Sequence, residues 1–179
     1  MDDGLDILIA NLRNLKGAAF WQQLAVIASR PEFKQVEESI YSVIGPETPD
    51  YDRQLDAARK AVLFGYTVYL LPNPKAVKSA DFIFQRKGVY KLFELKTITG
   101  QNSVGNRIMD ALDQSNRLLL NMCTKYNPRK LGQEIIKCFK SHDECREVLI
   151  FHNKQAFSIT RQTALQKGFG ARFCRLYGK

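Results

Sequence analysis

The chain has 179 residues, and 45% of them are hydrophobic, which is enough for one well-cored domain or for a main domain with a small appendage. Its formal net charge of +9, from 27 Lys and Arg against 18 Asp and Glu, favours a nucleic acid, an acidic protein or an anionic membrane surface as partner. No apolar run reaches the roughly 18 residues of a membrane span, and four cysteines are too few for a disulfide scaffold, so we expect reduced thiols and a cytosolic environment.

We expect residues 4–44 to be helical. The stretches LDILIANLRNL and AAFWQQLAVIA carry apolar residues at helical spacing, and Pro31 suits the first turn of a third helix, PEFKQVEESIYSVI. Gly and Pro residues in GPETPDY interrupt this pattern, which indicates a boundary. The prediction is a helical N-terminal segment, residues 1–45, followed by a second domain, residues 51–179.

The second domain is predicted to alternate helices and strands. DRQLDAARKAVLF predicts a helix that ends at Gly65, and YTVYLLP predicts a strand that ends at Pro72. ADFIFQ and YKLFELKTI predict a strand pair around RKG, and NSVGNRIMDALDQSNRLLLNM predicts one long amphipathic helix. QEIIKCFKS predicts a further helix, and EVLIFHN and AFSITRQ predict later strands. This order favours an α/β (α+β) fold with a mixed central sheet flanked by helices.

Three charged residues lie in the predicted strand pair. Side chains alternate across a strand, so Glu94 and Lys96 share one face, while Asp81 opens the neighbouring strand. If the two strands pair antiparallel, Asp81 lies beside the Glu94–Lys96 end. A charge inside an apolar run is costly unless it is paired or binds a ligand, so these residues form either an ion-pair cluster or a site.

Two carboxylates and one ammonium group are side chains with which an enzyme can catalyse the hydrolysis of a phosphodiester. The carboxylates can hold a hard divalent cation such as Mg²⁺, which polarises the phosphate and lowers the pKa of a bound water. A lysine beside the ion can orient or deprotonate that water, or stabilise the charge that develops on the phosphate. The competing interpretation is a cross-strand Glu94–Lys96 salt bridge with Asp81 as a capping residue.

The order of these residues resembles the PD-(D/E)xK nuclease superfamily, whose fold is restriction-endonuclease-like. Asp81, Glu94 and Lys96 are the matching residues, and residues 52–122 look most like the C-terminal tRNA nuclease toxin domain of contact-dependent growth inhibition (CDI) proteins. The resemblance implies a metal-dependent endonuclease, a toxin that hydrolyses tRNA in the cytoplasm of a target cell. It also implies an acidic cognate immunity protein as partner.

The resemblance implies the cofactor and most of the site. Asp81 and Glu94 would bind the metal, with Mg²⁺ expected and Mn²⁺ or Zn²⁺ as alternatives. The sequence departs from the family at Gln54, where relatives often carry an acid, and Asp52 or Asp56 are the candidate substitutes.

The predicted long helix carries the remaining candidate residues. We expect Gln114 to be a fourth catalytic residue that positions the substrate. Ser103, Asn106 and Arg107 lie near the start of the helix, where free N–H groups and a guanidinium could bind a phosphate. The structural alternatives are an N-cap at Ser103 and a solvated polar helix face.

Three other functions stay open at this point. The first is a DNA endonuclease of the same superfamily. The second is a metal-free ribonuclease with His152 as general base and the hydroxyls of Ser158 and Thr160 on the phosphate. In that mechanism Lys96 and Thr97 would be the electrophilic groups. The third is a non-catalytic nucleic-acid-binding module in which the charged residues form only salt bridges.

Overall fold

The computed structural model describes residues 3–73, 78–101 and 104–179, so the predicted substrate-binding residue Ser103 lies outside the described residues. The chain divides into two compact units, residues 1–93 and 94–179. Strand β5, Val89–Ile98, contributes its first half to one unit and its second half to the other. The boundary that the sequence predicts between residues 45 and 51 stays a prediction.

The first unit combines helices with a mixed sheet. Its elements in chain order are α1 (Asp3–Asn11), a 3₁₀ turn (Leu12–Asn14), α2 (Gly17–Ala28), β1 (Lys34–Glu37), β2 (Ile40–Ser42), α3 (Tyr51–Leu63), β3 (Thr67–Leu70), β4 (Phe82–Arg86) and the first half of β5. Strands β2 and β3 are parallel, whereas the pairs β1–β2, β3–β4 and β4–β5 are antiparallel.

The strand pair predicted around RKG is confirmed. The register pairs Phe82 with Phe93 and Arg86 with Val89, and a turn at Lys87 and Gly88 closes the hairpin. Both turn residues have positive φ angles, 50° and 75°. A two-residue turn of this kind matches the right-handed twist of its flanking strands.

The third helix predicted in the N-terminal segment is wrong, because its residues form the β1–β2 hairpin. Ser39 has a φ of 60°, in the left-handed region, which a helix interior does not allow. Ile40 is buried where β2 pairs with β3. Strand pairing therefore overrides the weak helical spacing of the apolar residues.

A hydrophobic cluster joins α1 and α2 to strand residues of the first unit. Its buried members are Leu5, Ile9, Leu12, Leu24, Ile27, Phe33, Leu71, Ala80, Ile83 and Leu92. Helix α3 packs against β3 and buries Ala57, Ala58 and Ala61.

The second unit also combines helices with a mixed sheet. Its elements are the second half of β5, α4 (Val104–Leu112), β6 (Arg117–Met122), α5 (Pro128–Ser141), β7 (Glu147–His152), β8 (Gln155–Thr160), α6 (Arg161–Ala164) and α7 (Phe169–Tyr177). Strands β5, β6 and β7 are parallel, and β8 is antiparallel to β7. Because each unit contains a mixed sheet flanked by helices, the predicted α/β (α+β) class is confirmed.

The long helix predicted over residues 102–122 is wrong in its second half. Helix α4 ends at Leu112, and β6 begins at Arg117. Every residue of β6 after Arg117 is buried, because a parallel strand between two others has apolar contacts on both faces. A short continuous apolar run fits a helix as well as a buried strand, so its spacing did not distinguish the two.

The core of the second unit lies between the sheet and helices α4, α5 and α7. Its largest members include Ile108, Leu118, Leu120, Leu131, Ile135, Phe139, Val148, Ile150, Phe169 and Phe173. Helix α5 begins with Pro128 after Asn127, whose side chain accepts a hydrogen bond from the Lys130 amide at 3.1 Å. Among the described residues, no helix has the length and apolar character that crossing a bilayer requires.

Candidate functional site

Glu94 is a carboxylate buried on strand β5. Only 4% of its surface is exposed, and its backbone lies opposite Leu118 in the parallel register with β6. Its Oε1 accepts two hydrogen bonds, from Lys96 Nζ at 2.7 Å and from Gln114 Nε2 at 2.9 Å. A buried carboxylate needs such donors, because burial removes the water that would otherwise stabilise its charge.

Different features of the fold bring the two donors to Glu94. Lys96 lies two residues further along β5 and therefore on the same face, and its side chain is 20% exposed. Gln114 is half-buried in the turn that follows α4, where its backbone N–H donates to the Ala111 carbonyl at 3.0 Å. The prediction that Gln114 lies on a helix is wrong, but the side chain contacts Glu94.

Asp81 lies in the first unit, immediately before β4. Its amide donates to the Phe93 carbonyl at 3.1 Å, and its own carbonyl accepts from the Leu71 amide at 2.9 Å. Its Oδ1 accepts a hydrogen bond from Gln54 Nε2 at 2.8 Å. These bonds hold the backbone and the carboxylate of Asp81 in one conformation.

Gln54 is a functional candidate that the sequence reasoning did not assign to the site. It is 7% exposed on α3. The available signal was its place on the apolar face of the helix, one turn before Ala57 and Ala58. The proposed substitutes lie elsewhere, since Asp52 is exposed and Asp56 forms an ion pair with Lys60 at 2.9 Å.

Within the first unit, the side-chain oxygen atoms of Gln54 and Asp81 are of the kind that binds a hard divalent cation. Gln54 Oε1 is buried and has no hydrogen-bond partner among the described residues, and an amide oxygen is an accepted ligand for such ions. Within the described part of the chain, no group of three or more His, Cys, Asp or Glu residues is close enough to hold a metal. Mg²⁺ needs only one or two protein carboxylates, because waters and substrate phosphates complete its octahedral shell.

Asn106 and Arg107 lie exposed in the first turns of α4. Arg107 Nη1 donates to the carbonyl of Thr97 on β5 at 2.7 Å, which ties the helix to the strand. Asn106 lines a groove between α4 and α5. Arg107 thus has a structural contact, and a role for either residue in substrate binding stays a prediction.

The structure does not bring the residues of the metal-free alternative together. The His152 ring stacks on Tyr177 with centroids 3.9 Å apart, and burial lowers its pKa. In the β7–β8 register His152 lies opposite Gln155, whereas Ser158 lies opposite Leu149. The Ser158 hydroxyl donates to Glu147 at 2.6 Å.

The comparisons with known proteins are sparse. No family model matches the sequence, and no curated protein matches it. A chain of the CdiA-CT/CdiI toxin and immunity complex from Burkholderia pseudomallei is similar in structure, with 16% sequence identity and a TM-score of 0.42. The alignment covers 65% of this chain and 92% of that chain. A TM-score of this size does not establish a common fold, so the PD-(D/E)xK resemblance stays a prediction.

Proposed function

We propose that this protein is a metal-dependent endonuclease, a bacterial toxin domain that cleaves tRNA. The observation that carries the proposal is the Glu94 carboxylate, which is buried and yet accepts hydrogen bonds from both Lys96 and Gln114. An apolar residue at this position of β5 would stabilise the fold at least as well, because a buried ion pair seldom stabilises a fold more than hydrophobic residues do. Buried polar groups that lie together without increasing the stability of the fold indicate a functional role.

Each candidate residue has one role in this proposal. Asp81 and Glu94 are the metal ligands, and Gln54 orients the Asp81 carboxylate. The bound ion, expected to be Mg²⁺, would act as a Lewis acid on the phosphate and lower the pKa of a water. Lys96 orients or deprotonates the attacking water, or stabilises charge on the phosphate, and Gln114 positions the substrate.

The charge of the chain supports a polyanionic substrate. The formal net charge is +9, and exposed basic residues of helix α5 and of the segment after β8 include Lys137, Lys167 and Arg175. Such residues bind a phosphate backbone irrespective of sequence. The choice of tRNA, the target-cell cytoplasm and an acidic immunity protein rests on the resemblance of residues 52–122 to CDI toxin domains.

The test combines metal removal with isosteric variants. Purified protein is incubated with tRNA and with plasmid DNA, in Mg²⁺ and in EDTA. We expect tRNA cleavage in Mg²⁺ only, and a rate lower by at least about 10²–10⁴-fold in Asp81→Asn and Glu94→Gln, the scale of one positioned catalytic contribution. Glu38→Gln and Asp110→Asn, at exposed acids outside the site, are the matched controls.

Other outcomes would point to the alternative functions. Cleavage that survives EDTA and Asp81→Asn but is lost in His152→Ala, with 2′,3′-cyclic phosphate ends, would establish the metal-free mechanism. Cleavage of plasmid but not of tRNA would establish a DNA endonuclease. Binding without cleavage of either substrate would establish a non-catalytic module.

A further inference from the structure

Helices α4 and α5 of the second unit border a groove of about 340 Å³. This volume is at the lower end of the range for small-molecule sites. The α4 side is lined by Val104, Ile108 and Met109, of which Met109 is 44% exposed and the other two are 1% exposed. A groove of this volume has room for a ring system about the size of a nucleobase.

Charged side chains of α5 form the opposite wall. Lys130, Glu134 and Lys137 are spaced so that they share one face of the helix. None of the three side chains forms an ion pair or a hydrogen bond with another described residue, and the Lys130 ammonium lies 6.0 Å from the ring centroid of Tyr126. Two cations and one carboxylate are thus available to a ligand.

Tyr126 and Gly105 show that the groove is shaped around polar groups. Tyr126 is 5% exposed, yet its hydroxyl has no hydrogen-bond partner in the described part of the chain. A buried polar group without a partner is unfavourable, so a ligand or a water that bonds to it is favoured. A Cβ at Gly105 would overlap the Glu134 carboxylate. The absence of a side chain at Gly105 therefore allows this carboxylate to lie beside the first turn of α4.

We propose that the groove binds one unstacked guanine nucleotide of a single-stranded nucleic acid, an inference that rests on the proposed function. Glu134 would accept hydrogen bonds from N1–H and N2–H₂ of guanine, two adjacent donors that match the two oxygens of a carboxylate. The Tyr126 hydroxyl would donate to the neighbouring O6. Lys130 and Lys137 would bind the flanking phosphates.

This arrangement discriminates against uracil. Uracil has a single donor, N3–H, between two carbonyl oxygens, so a carboxylate at the same position would face an acceptor. One good bidentate contact contributes about 1–3 kcal/mol, which corresponds to a preference of roughly 5- to 150-fold. The groove between α4 and α5 is therefore the position at which we expect the nuclease to bind a guanosine of its substrate.

The test measures binding without cleavage. Fluorescence anisotropy in EDTA compares the heptamers UUUGUUU and UUUUUUU as RNA, and the same pair as DNA. We expect the guanine-containing heptamer to bind at least about fivefold more tightly than the heptamer without guanine, both as RNA and as DNA, because no proposed contact involves the 2′-hydroxyl. Glu134→Gln should remove this preference while binding of the uridine strand persists.

The lysines are tested by a charge-matched pair of double variants. Lys130→Gln with Lys137→Gln should lower the affinity for both heptamers. It should also reduce the slope of log K against log salt by about 1.4, which is the single-strand value for two phosphate contacts. Lys125→Gln with Lys140→Gln removes the same charge from exposed positions outside the groove and should leave the slope unchanged. Melting temperatures verify that all variants are folded.

Three results would overturn the inference: equal binding of the two heptamers, a guanine preference that survives in Glu134→Gln, or equal weakening by the control pair. The outcome is separate from that of the proposed function. A metal-dependent nuclease without a guanine preference would contradict only the groove, and a guanine-selective protein that does not cleave would contradict only the catalytic proposal.

Discussion

Gln54 shows how one side chain can act through another. Its amide nitrogen donates to Asp81 at 2.8 Å from a helix position that is 7% exposed. A hydrogen bond to a charged acceptor contributes about 1.5–3 kcal/mol net, and burial prevents water from replacing it. Gln54 is therefore a positioning residue for the proposed metal ligand, whereas Asp52 is exposed to solvent.

Replacement of Gln54 should affect both activity and its pH dependence. We expect Gln54→Leu to lower the cleavage rate about tenfold and the free energy of unfolding by about 1–3 kcal/mol, because Asp81 loses a donor. Gln54→Glu places a second negative charge beside Asp81, which raises the pKa of that carboxyl, so activity should be lost at acidic pH and recover as the pH rises. Rates from pH 5 to pH 8 test this effect.

The comparison with Asp52 decides which helical residue belongs to the site. Asp52→Ala should retain the activity and the pH profile of the unmodified protein. A large loss of activity in Asp52→Ala together with normal activity in Gln54→Leu would assign the supporting role to the exposed acid instead.

At the scale of elements, two segments with apolar periodicity are strands rather than helices. The β1–β2 hairpin replaces a predicted helix, and β6 replaces the second half of another. In both cases a neighbouring strand supplies the backbone partners: β3 for β2, and β5 and β7 for β6. The change at β6 alters the candidate site, because the chain turns before this strand and the side chain of Gln114 donates to Glu94 from that turn.

The turn of the β1–β2 hairpin provides a stability test. Ser39 has a φ of 60°, which costs a residue with a Cβ about 1–2 kcal/mol relative to glycine. We therefore expect Ser39→Gly to raise the urea midpoint, with a gain of about 1 kcal/mol. Ser42→Gly, in the adjoining strand, should lower the midpoint, because glycine adds freedom to the unfolded chain and removes a hydroxyl that donates to the Ile44 carbonyl at 2.7 Å and accepts from the Ile44 amide at 3.1 Å. A helix at this position would reverse the first result, since glycine destabilises helix interiors.

At the scale of the whole molecule, the positive charge should control affinity for nucleic acid. Lys167 and Arg175 are exposed, and neither side chain forms an ion pair with a described residue. Arg161 is different, because its guanidinium donates to the His142 carbonyl at 2.6 Å and so contributes to the fold. Lys167 and Arg175 can therefore be neutralised with little expected loss of stability.

We expect affinity for tRNA to fall linearly on a plot of log K against log salt. Lys167→Gln with Arg175→Gln should reduce the slope by about 1.4–1.8, because two phosphate contacts and their released counterions are lost. Lys34→Gln with Lys87→Gln, at exposed positions of the first unit, removes the same charge and is the control. An equal change in both double variants would show that net charge, rather than a defined surface, governs binding.

The sequence by itself determined the class of fold, the β4–β5 hairpin and the candidate residues Asp81, Glu94 and Lys96. Alternation along a strand and the turn chemistry of Lys87–Gly88 are local properties that need no knowledge of distant residues. The tertiary structure decided that β2 and β6 are strands, that Gln54 contacts Asp81 and that Gln114 reaches Glu94 from a turn. These features depend on residues 20 to 30 positions apart in the chain, from Glu94 and Gln114 to Leu118 and Val148, and only packing brings such residues into contact.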